Sequence, residues 1–198
     1  MEIIFATSNE HKLFEIRTML EGTGIEAKSL KDIGFTGTIE ENGSTFAENA
    51  AIKAETIRNL TGKIVMADDS GIMIDYLNGR PGIYSSRFLG ENTPHSEKRA
   101  TILKRMQNVP DAERGARFVC AIAISYPDSI TEIFEGVFEG RIAHEEKGEN
   151  GFGYDSIFYV PEEGMTSAEL SEERKNELSH RGKALRQAVE ALKQVSIY

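Results

Sequence analysis

Short apolar runs alternate along this chain with stripes of helical period, and that alternation restricts it to an α/β domain built on a sheet. The first run, near Ile3 to Ala6, passes through the polar turn Thr7-Ser8-Asn9-Glu10-His11-Lys12 into a segment with Leu13, Ile16 and Leu20 on one stripe. Ser8 or Asn9 would cap that helix. Thr45-Phe46-Ala47-Glu48 has the pattern of a capping box, in which Thr45 accepts from the third helical amide and Glu48 reaches back to the cap amide. A helix to about Leu60 follows. Ile64 to Ala67 is an apolar strand that stops at Asp68-Asp69-Ser70-Gly71, and extended structure resumes at Ile72 to Ile74. Thr93 and Pro94 suit the cap and first position of a helix reaching about Gln107. Arg117 to Ser125 and Ile130 to Ala143 are predicted to be longer strands joined by a Tyr126-Pro127-Asp128-Ser129 turn, so part of the sheet is antiparallel and the whole is mixed. After the glycine-rich segment Gly148 to Tyr154 come a short strand, Ile157 to Val160, and two helices parted near Ser179. The last helix buries Leu185, Val189 and Leu192.

A chain of 198 residues, 39% hydrophobic and 28% charged, can bury a core without metal or disulfide staples. Residues 1–198 are expected to form one domain, with two lobes at most. The single cysteine, Cys120, lies in the apolar run Phe118 to Ile124, which makes it a small core hydrophobe in a reducing compartment and excludes disulfide scaffolds and cysteine-rich zinc sites. Met1-Glu2-Ile3-Ile4-Phe5 enters a strand pattern with no basic leader, and no apolar stretch approaches the roughly 20 residues of a membrane span. The expectation is a cytoplasmic protein with no membrane partner. A net charge of -9 argues against nucleic acid as a partner, because that affinity comes from basic patches that release counterions. A small polyanion can still bind at a local cluster of cations.

Four constellations carry potential chemistry. Glu40-Glu41 lies in a loop and Asp68-Asp69 at the end of an apolar strand. Acidic pairs of this kind suit magnesium, which prefers hard oxygen ligands and is typically held by one or two carboxylates plus substrate phosphates. A solvated acidic turn is the alternative. Lys12, Lys53, Lys175 and Arg181 sit in polar turns or on capped helices, with Ser8, Asn9 and Ser70 as neutral donors. Asn49 and Lys53 are four apart and share a helical face, opposite a small apolar face that includes Ala47, Ala51 and Ala54. The turn from Thr7 precedes a helix N-terminus, which favours phosphate, although it lacks the glycines of a Walker loop. In Gly151-Phe152-Gly153-Tyr154-Asp155 the glycines permit close backbone approach, an aromatic ring can stack on a base, and the carboxylate can accept from ring N–H groups. A β-turn packing its aromatics into the core is the alternative. Ser179-His180-Arg181 opens a predicted helix, as base or phosphate recognition or as a plain serine cap.

In this order, the segments resemble the Ham1 family of inosine/xanthosine triphosphate pyrophosphatases over nearly the whole chain. The resemblance runs through Thr7-Ser8-Asn9 with Lys12 and Glu15, Glu40-Glu41-Asn42-Gly43-Ser44-Thr45-Phe46 with Glu48-Asn49-Ala50 and Lys53, and Ala67-Asp68-Asp69-Ser70-Gly71. It continues with Pro81-Gly82-Ile83-Tyr84-Ser85-Ser86-Arg87, Gly151-Phe152-Gly153-Tyr154-Asp155, Lys175 and Ser179-His180-Arg181. It implies an elongated mixed sheet flanked by helices, two lobes with a central cleft, and a homodimer. It also implies Mg²⁺ held by Glu40 and Asp69, with Asp69 as proton acceptor. Thr7, Ser8, Asn9, Lys12, Lys53, Ser70 and Lys175 would face phosphates and sugar, while Phe152, Gly153, Tyr154, Asp155, His180 and Arg181 would surround the base. Two departures are Asn42, where the family often has threonine, and Ser156, where proline is common and would restrain the turn.

The implied reaction is attack of water on the α-phosphorus of a non-standard purine nucleoside triphosphate such as ITP, dITP or XTP, giving the monophosphate and pyrophosphate. Asp69 cannot easily be both a tight metal ligand and a strong base, so Asp68 is the alternative base. The rival readings are a septum-associated type of nucleotide pyrophosphatase with other base preferences and a non-catalytic nucleotide-binding module. A Ser/His/Asp hydrolase is disfavoured, since no Gly-x-Ser-x-Gly elbow occurs.

Overall fold

A computed structural model of the chain describes residues 1–128 and 131–195. The elements are β1 (Glu2–Phe5), α1 (Glu10–Leu20), β2 (Glu26–Ser29), α2 (Phe46–Thr61), β3 (Val65–Ile74), β4 (Arg80–Pro81) and α3 (His95–Arg105). They continue with β5 (Gly115–Ser125), β6 (Thr131–Ile142), β7 (Phe158–Val160), β8 (Met165–Thr166), α4 (Glu172–Leu178) and α5 (His180–Val195). The sheet order is β2-β1-β3-β5-β6-β7-β8, with β4 beside β3. β1 runs parallel to β2 and β3, whereas β3–β4, β6–β7 and β7–β8 are antiparallel. The fold is therefore an α/β structure on an open mixed sheet. Among the described residues, no helix is long and apolar enough to cross a membrane.

The chain forms two compact units. The first comprises the described residues of Met1–Asp69, Cys120–Gly136 and His180–Tyr198, and the second comprises Ser70–Val119 and Val137–Ser179. In the first unit, Ile16 and Leu20 of α1 and Leu185, Val189 and Leu192 of α5 bury against Ile3, Phe5, Met66 and the Cys120–Ile124 run, as the helical stripes predict. Cys120 is fully buried, and burial pushes its thiol up to about 12, which leaves it an inert core residue. In the second unit, Ile72, Ile74, Ile102, Phe118, Phe138 and Phe158 form a separate core.

Several local expectations are corrected. Asp68-Asp69 does not end a strand: β3 continues through both carboxylates to Ile74, because each has charged or hydrogen-bonding partners that make its burial tolerable. The Thr45 hydroxyl accepts from the Glu48 amide at 3.1 Å, but Glu48 accepts from the Ser44 amide and hydroxyl, one residue before the cap. Pro94 is the cap position of α3 rather than its first residue, and the Thr93 hydroxyl donates to the Leu89 carbonyl. The buried face of α2 is Phe46, Asn49, Ala50, Ala54 and Ile57, so Asn49 lies among the small residues instead of opposite them. The Tyr126–Ser129 turn and the strand start at Ile130 fall partly outside the described residues, at 129 and 130.

Candidate active site

The period of two along β3 sends consecutive aspartates to opposite faces of the sheet. Asp68 lies on the face of Met66, toward the helices that pack there. Its Oδ2 receives Lys12 Nζ of α1 at 2.9 Å and Arg181 Nε of α5 at 3.4 Å. The Arg181 guanidinium also pairs with Glu15. Asp69 faces α2, where Asn49 Nδ2 donates to its Oδ2 at 3.1 Å and Lys53 Nζ stands 3.9 Å from its Oδ1. One sequence step thus separates two charge environments.

Burial opposes ionisation of Asp68, yet the charges of Lys12, Arg181 and Lys53 outweigh it and hold its carboxyl well below the usual range. For Asp69 the balance reverses. Burial raises its carboxyl, Lys53 and Lys12 offset this only in part, and Glu41 adds to the rise. Asp68 is therefore held by cations in its charged form, while burial keeps Asp69 the weaker acid of the two.

Glu41 reaches this web through Lys53, whose Nζ donates to its Oε2 at 3.0 Å. Glu40 is exposed in the same loop. The loop is anchored where Asn49 Oδ1 accepts from the Gly43 amide at 2.8 Å. A Cβ at position 43 would lie 2.8 Å from that oxygen, so this close approach requires glycine. Asn49 thereby ties the acidic loop and Asp69 to one helix turn.

In the Thr7–Lys12 turn, Asn9 caps α1, its Oδ1 accepting from the His11 and Lys12 amides at 3.0 and 3.2 Å, and its own amide donates to Thr7 Oγ1. Ser8 is exposed. Two of the amides expected to receive phosphate are thus already satisfied by the cap.

In the second unit, the Gly151–Asp155 turn is built around a buried carboxylate. Asp155 Oδ2 accepts from the Phe152 amide and from Lys175 Nζ, both at 2.8 Å, and Oδ1 accepts from the Ser167 hydroxyl at 3.0 Å. Lys175 Nζ also stands 5.1 Å from the centroid of the half-buried Phe152 ring. Gly151 has φ +72°, and a Cβ there would sit 2.3 Å from Asp155 Oδ2. Tyr154 is buried, and its hydroxyl donates to the Ser85 carbonyl at 2.7 Å. Ser156, a departure from the family pattern, donates to Glu146 at 3.0 Å.

The structure brings Lys12, Lys53, Asp69, His180 and Arg181 into the first unit, with Glu40 and Thr7–Asn9. Ser70, Phe152–Asp155 and Lys175 belong to the second. Arg181, expected beside a base, has its guanidinium on Asp68 and Glu15, and Asp155 and Lys175 engage each other. Glu41 stands in the acidic pair that suits magnesium, whereas no motif gives Glu15 or Ser167 a site role from sequence alone. Asn49 was noticed only as a neighbour of Lys53; its spacing of four from that lysine was the available signal that both address one target.

Among the described residues, no group of three or more His, Cys, Asp or Glu side chains is arranged to hold a metal. Asp69 with the adjacent acidic loop fits a hard divalent ion of the magnesium type, since such an ion needs only one or two carboxylates when phosphates and water complete its shell.

Residues 3–191 match the model of the Ham1 family. The chain is 51% identical over 185 residues to a dITP/XTP pyrophosphatase of Bacillus licheniformis, covering 93% of this chain and 94% of that protein. It is 47% identical to the Bacillus subtilis dITP/XTP pyrophosphatase, covering 93% of each. The solved Ham1 protein of Staphylococcus aureus superposes with a TM-score of 0.88 at 39% identity, covering 98% of this chain and 99% of that one. With its fold, its carboxylate web and these likenesses taken together, the chain belongs to the Ham1 family.

Proposed function

We propose that this protein is a pyrophosphatase of non-standard purine nucleoside triphosphates, ITP, dITP and XTP, which it hydrolyses to the monophosphate and pyrophosphate. The observation that carries the reading is the partition of Asp68 and Asp69: one carboxylate ion-paired with Lys12 and Arg181, its neighbour on the opposite face beside Asn49 and Lys53, with Glu41 of the acidic loop on the same lysine. Family membership and the dITP/XTP names of close relatives support the same substrate class.

In this reading Asp69 and a carboxylate of the acidic loop, Glu40 by the family resemblance, hold Mg²⁺. When bound, the ion offsets charge building on the phosphate oxygens and on the leaving pyrophosphate. Lys53 adds a second cation on that path, Lys12 fixes Asp68, and the Thr7–Asn9 turn before Lys12 receives phosphate. Asp69 serves first as a metal ligand, and its part as acceptor of the attacking water's proton rests on the family resemblance. The cations that hold the Asp68 carboxyl low favour Asp69 over Asp68 as that acceptor. In the second unit, Asp155, Tyr154 and Lys175 brace the turn, and the Phe152 ring and the backbone around Gly153 meet the base. Under the same proposal the enzyme acts in the cytoplasm as a homodimer.

A panel of inosine, xanthosine, guanosine and adenosine triphosphates, each with Mg²⁺ or EDTA, tests this when pyrophosphate and orthophosphate are measured separately. Pyrophosphate release confined to the first two and abolished by EDTA is expected. Nucleoside diphosphate with orthophosphate, or equal kcat/KM for GTP and ITP, contradicts it.

A further inference from the structure

The second unit contains a linked set of side chains that the proposed chemistry does not use. His95 and Arg99 are four apart on α3, so they lie on one face. The His95 ring packs edge-on against Tyr154 with centroids 5.5 Å apart, and Arg99 Nη1 donates to the Gly153 carbonyl at 2.8 Å. The Nε of the same guanidinium donates to Glu146 Oε2 at 2.8 Å. Ser156 Oγ donates to that same oxygen at 3.0 Å. One carboxylate oxygen therefore joins the residue that follows Asp155 to the arginine that grips the carbonyl at the middle of the turn.

The arrangement has features that a plain surface ion pair lacks. The Arg99 side chain is only 20% exposed, and its planar fork addresses a carbonyl and a carboxylate at once, which an ammonium cannot do with the same geometry. Its direct target is backbone in a turn whose inside is already fixed by Asp155. Gly153 has φ +65°, so its own conformation is one that other residues rarely adopt, and an external donor on its carbonyl limits how the peptide plane rotates. The inner bonds of Asp155 hold the Phe152 amide; the outer bonds of Arg99 hold the Gly153 carbonyl.

We propose that Arg99, with Glu146 and Ser156, is a positioning residue for base recognition: it fixes the Gly153–Tyr154 peptide and so limits the motion of the whole turn, which carries the Phe152 ring one peptide earlier. This rests on the reading of the turn as the base-facing element. Arg99 acts on affinity for the base and leaves the phosphate chemistry of the first unit untouched.

The test uses the full chain carrying Arg99→Ala, Arg99→Lys, Ser156→Ala or the Arg99→Ala/Ser156→Ala pair. Backbone hydrogen exchange over 151–156 without ligand is measured beside KM and kcat for inosine triphosphate and the inhibition constant of pyrophosphate. Arg99→Ala is expected to speed exchange in the turn and raise KM roughly tenfold, with kcat within about twofold and pyrophosphate inhibition unchanged. Arg99→Lys should fail to restore KM, Ser156→Ala should move it less, and the pair should be no worse than Arg99→Ala. Unchanged exchange and KM in Arg99→Ala overturn the proposal, and so do equal rises in KM and in the pyrophosphate constant. If the wild type hydrolyses no non-standard purine triphosphate, the functional reading fails by itself. Exchange then decides whether Arg99 positions the turn, and equal rates in wild type and Arg99→Ala reject it.

Discussion

Each unit buries a lysine against an aspartate, Lys12 with Asp68 at 2.9 Å in the first and Lys175 with Asp155 at 2.8 Å in the second, but the two pairs have different surroundings. Beside Asp68 the chain places a second carboxylate on the opposite face of the same strand, and burial raises the carboxyl of that neighbour. Beside Asp155 it places a tyrosine that closes onto the Ser85 carbonyl, and an aromatic ring two residues further back. The first arrangement, two carboxylates with an acidic loop nearby, suits a metal with phosphates. The second spends its charge internally and offers a ring and backbone to a neutral partner. A buried ion pair is thus a fixed point from which either kind of surface can be built.

That contrast predicts that damage in the first unit appears in turnover and damage in the second in affinity for the base. Asp69→Asn should lower kcat by roughly three orders of magnitude, while thermal unfolding followed by circular dichroism stays close to wild type. Near-normal turnover would remove Asp69 from the chemistry. Arg181→Ala leaves Asp68 and Glu15 without their shared guanidinium, and should lower unfolding free energy by about 3 kcal/mol in urea titrations. Lys53→Ala should reduce kcat/KM by about 1.5–3 kcal/mol, with loss of pyrophosphate inhibition as the companion sign. An intact inhibition constant would place Lys53 away from the phosphates. Gly151→Ala puts a Cβ against Asp155 and a strained φ into the turn, at a cost of about 1–3 kcal/mol. Its effect should fall on KM for inosine triphosphate with pyrophosphate inhibition preserved. A loss confined to kcat would erase the proposed division of labour.

Much of the fold was legible because hydrophobic period and cap chemistry are local. Leu185, Val189 and Leu192 bury as their spacing requires, and Asn9 and Thr45 cap the helices they precede. The reading of β3 failed for a physical reason. Two adjacent aspartates look like the end of a strand when their partners are unknown, and those partners, Lys12, Asn49, Lys53 and Arg181, come from three helices as far as 113 positions away. Which carboxylate of Glu40-Glu41 meets Lys53, 12 positions away, depends on the path of an irregular loop that no periodic pattern fixes. The glycines of Gly151–Asp155 did announce a turn, but the embrace of Asp155 by Ser167 and Lys175 depends on contacts that no local pattern encodes.

The central claim is that Asp69, unlike Asp68, belongs to a divalent-ion site completed by a triphosphate. Titration of Mn²⁺ into the protein with a non-hydrolysable inosine triphosphate analogue, followed by electron paramagnetic resonance, tests it most directly. Binding that is retained in wild type and weakened strongly in Asp69→Asn, with the fold intact in both, is the predicted result. Equal Mn²⁺ affinity and stoichiometry in the two proteins would contradict it.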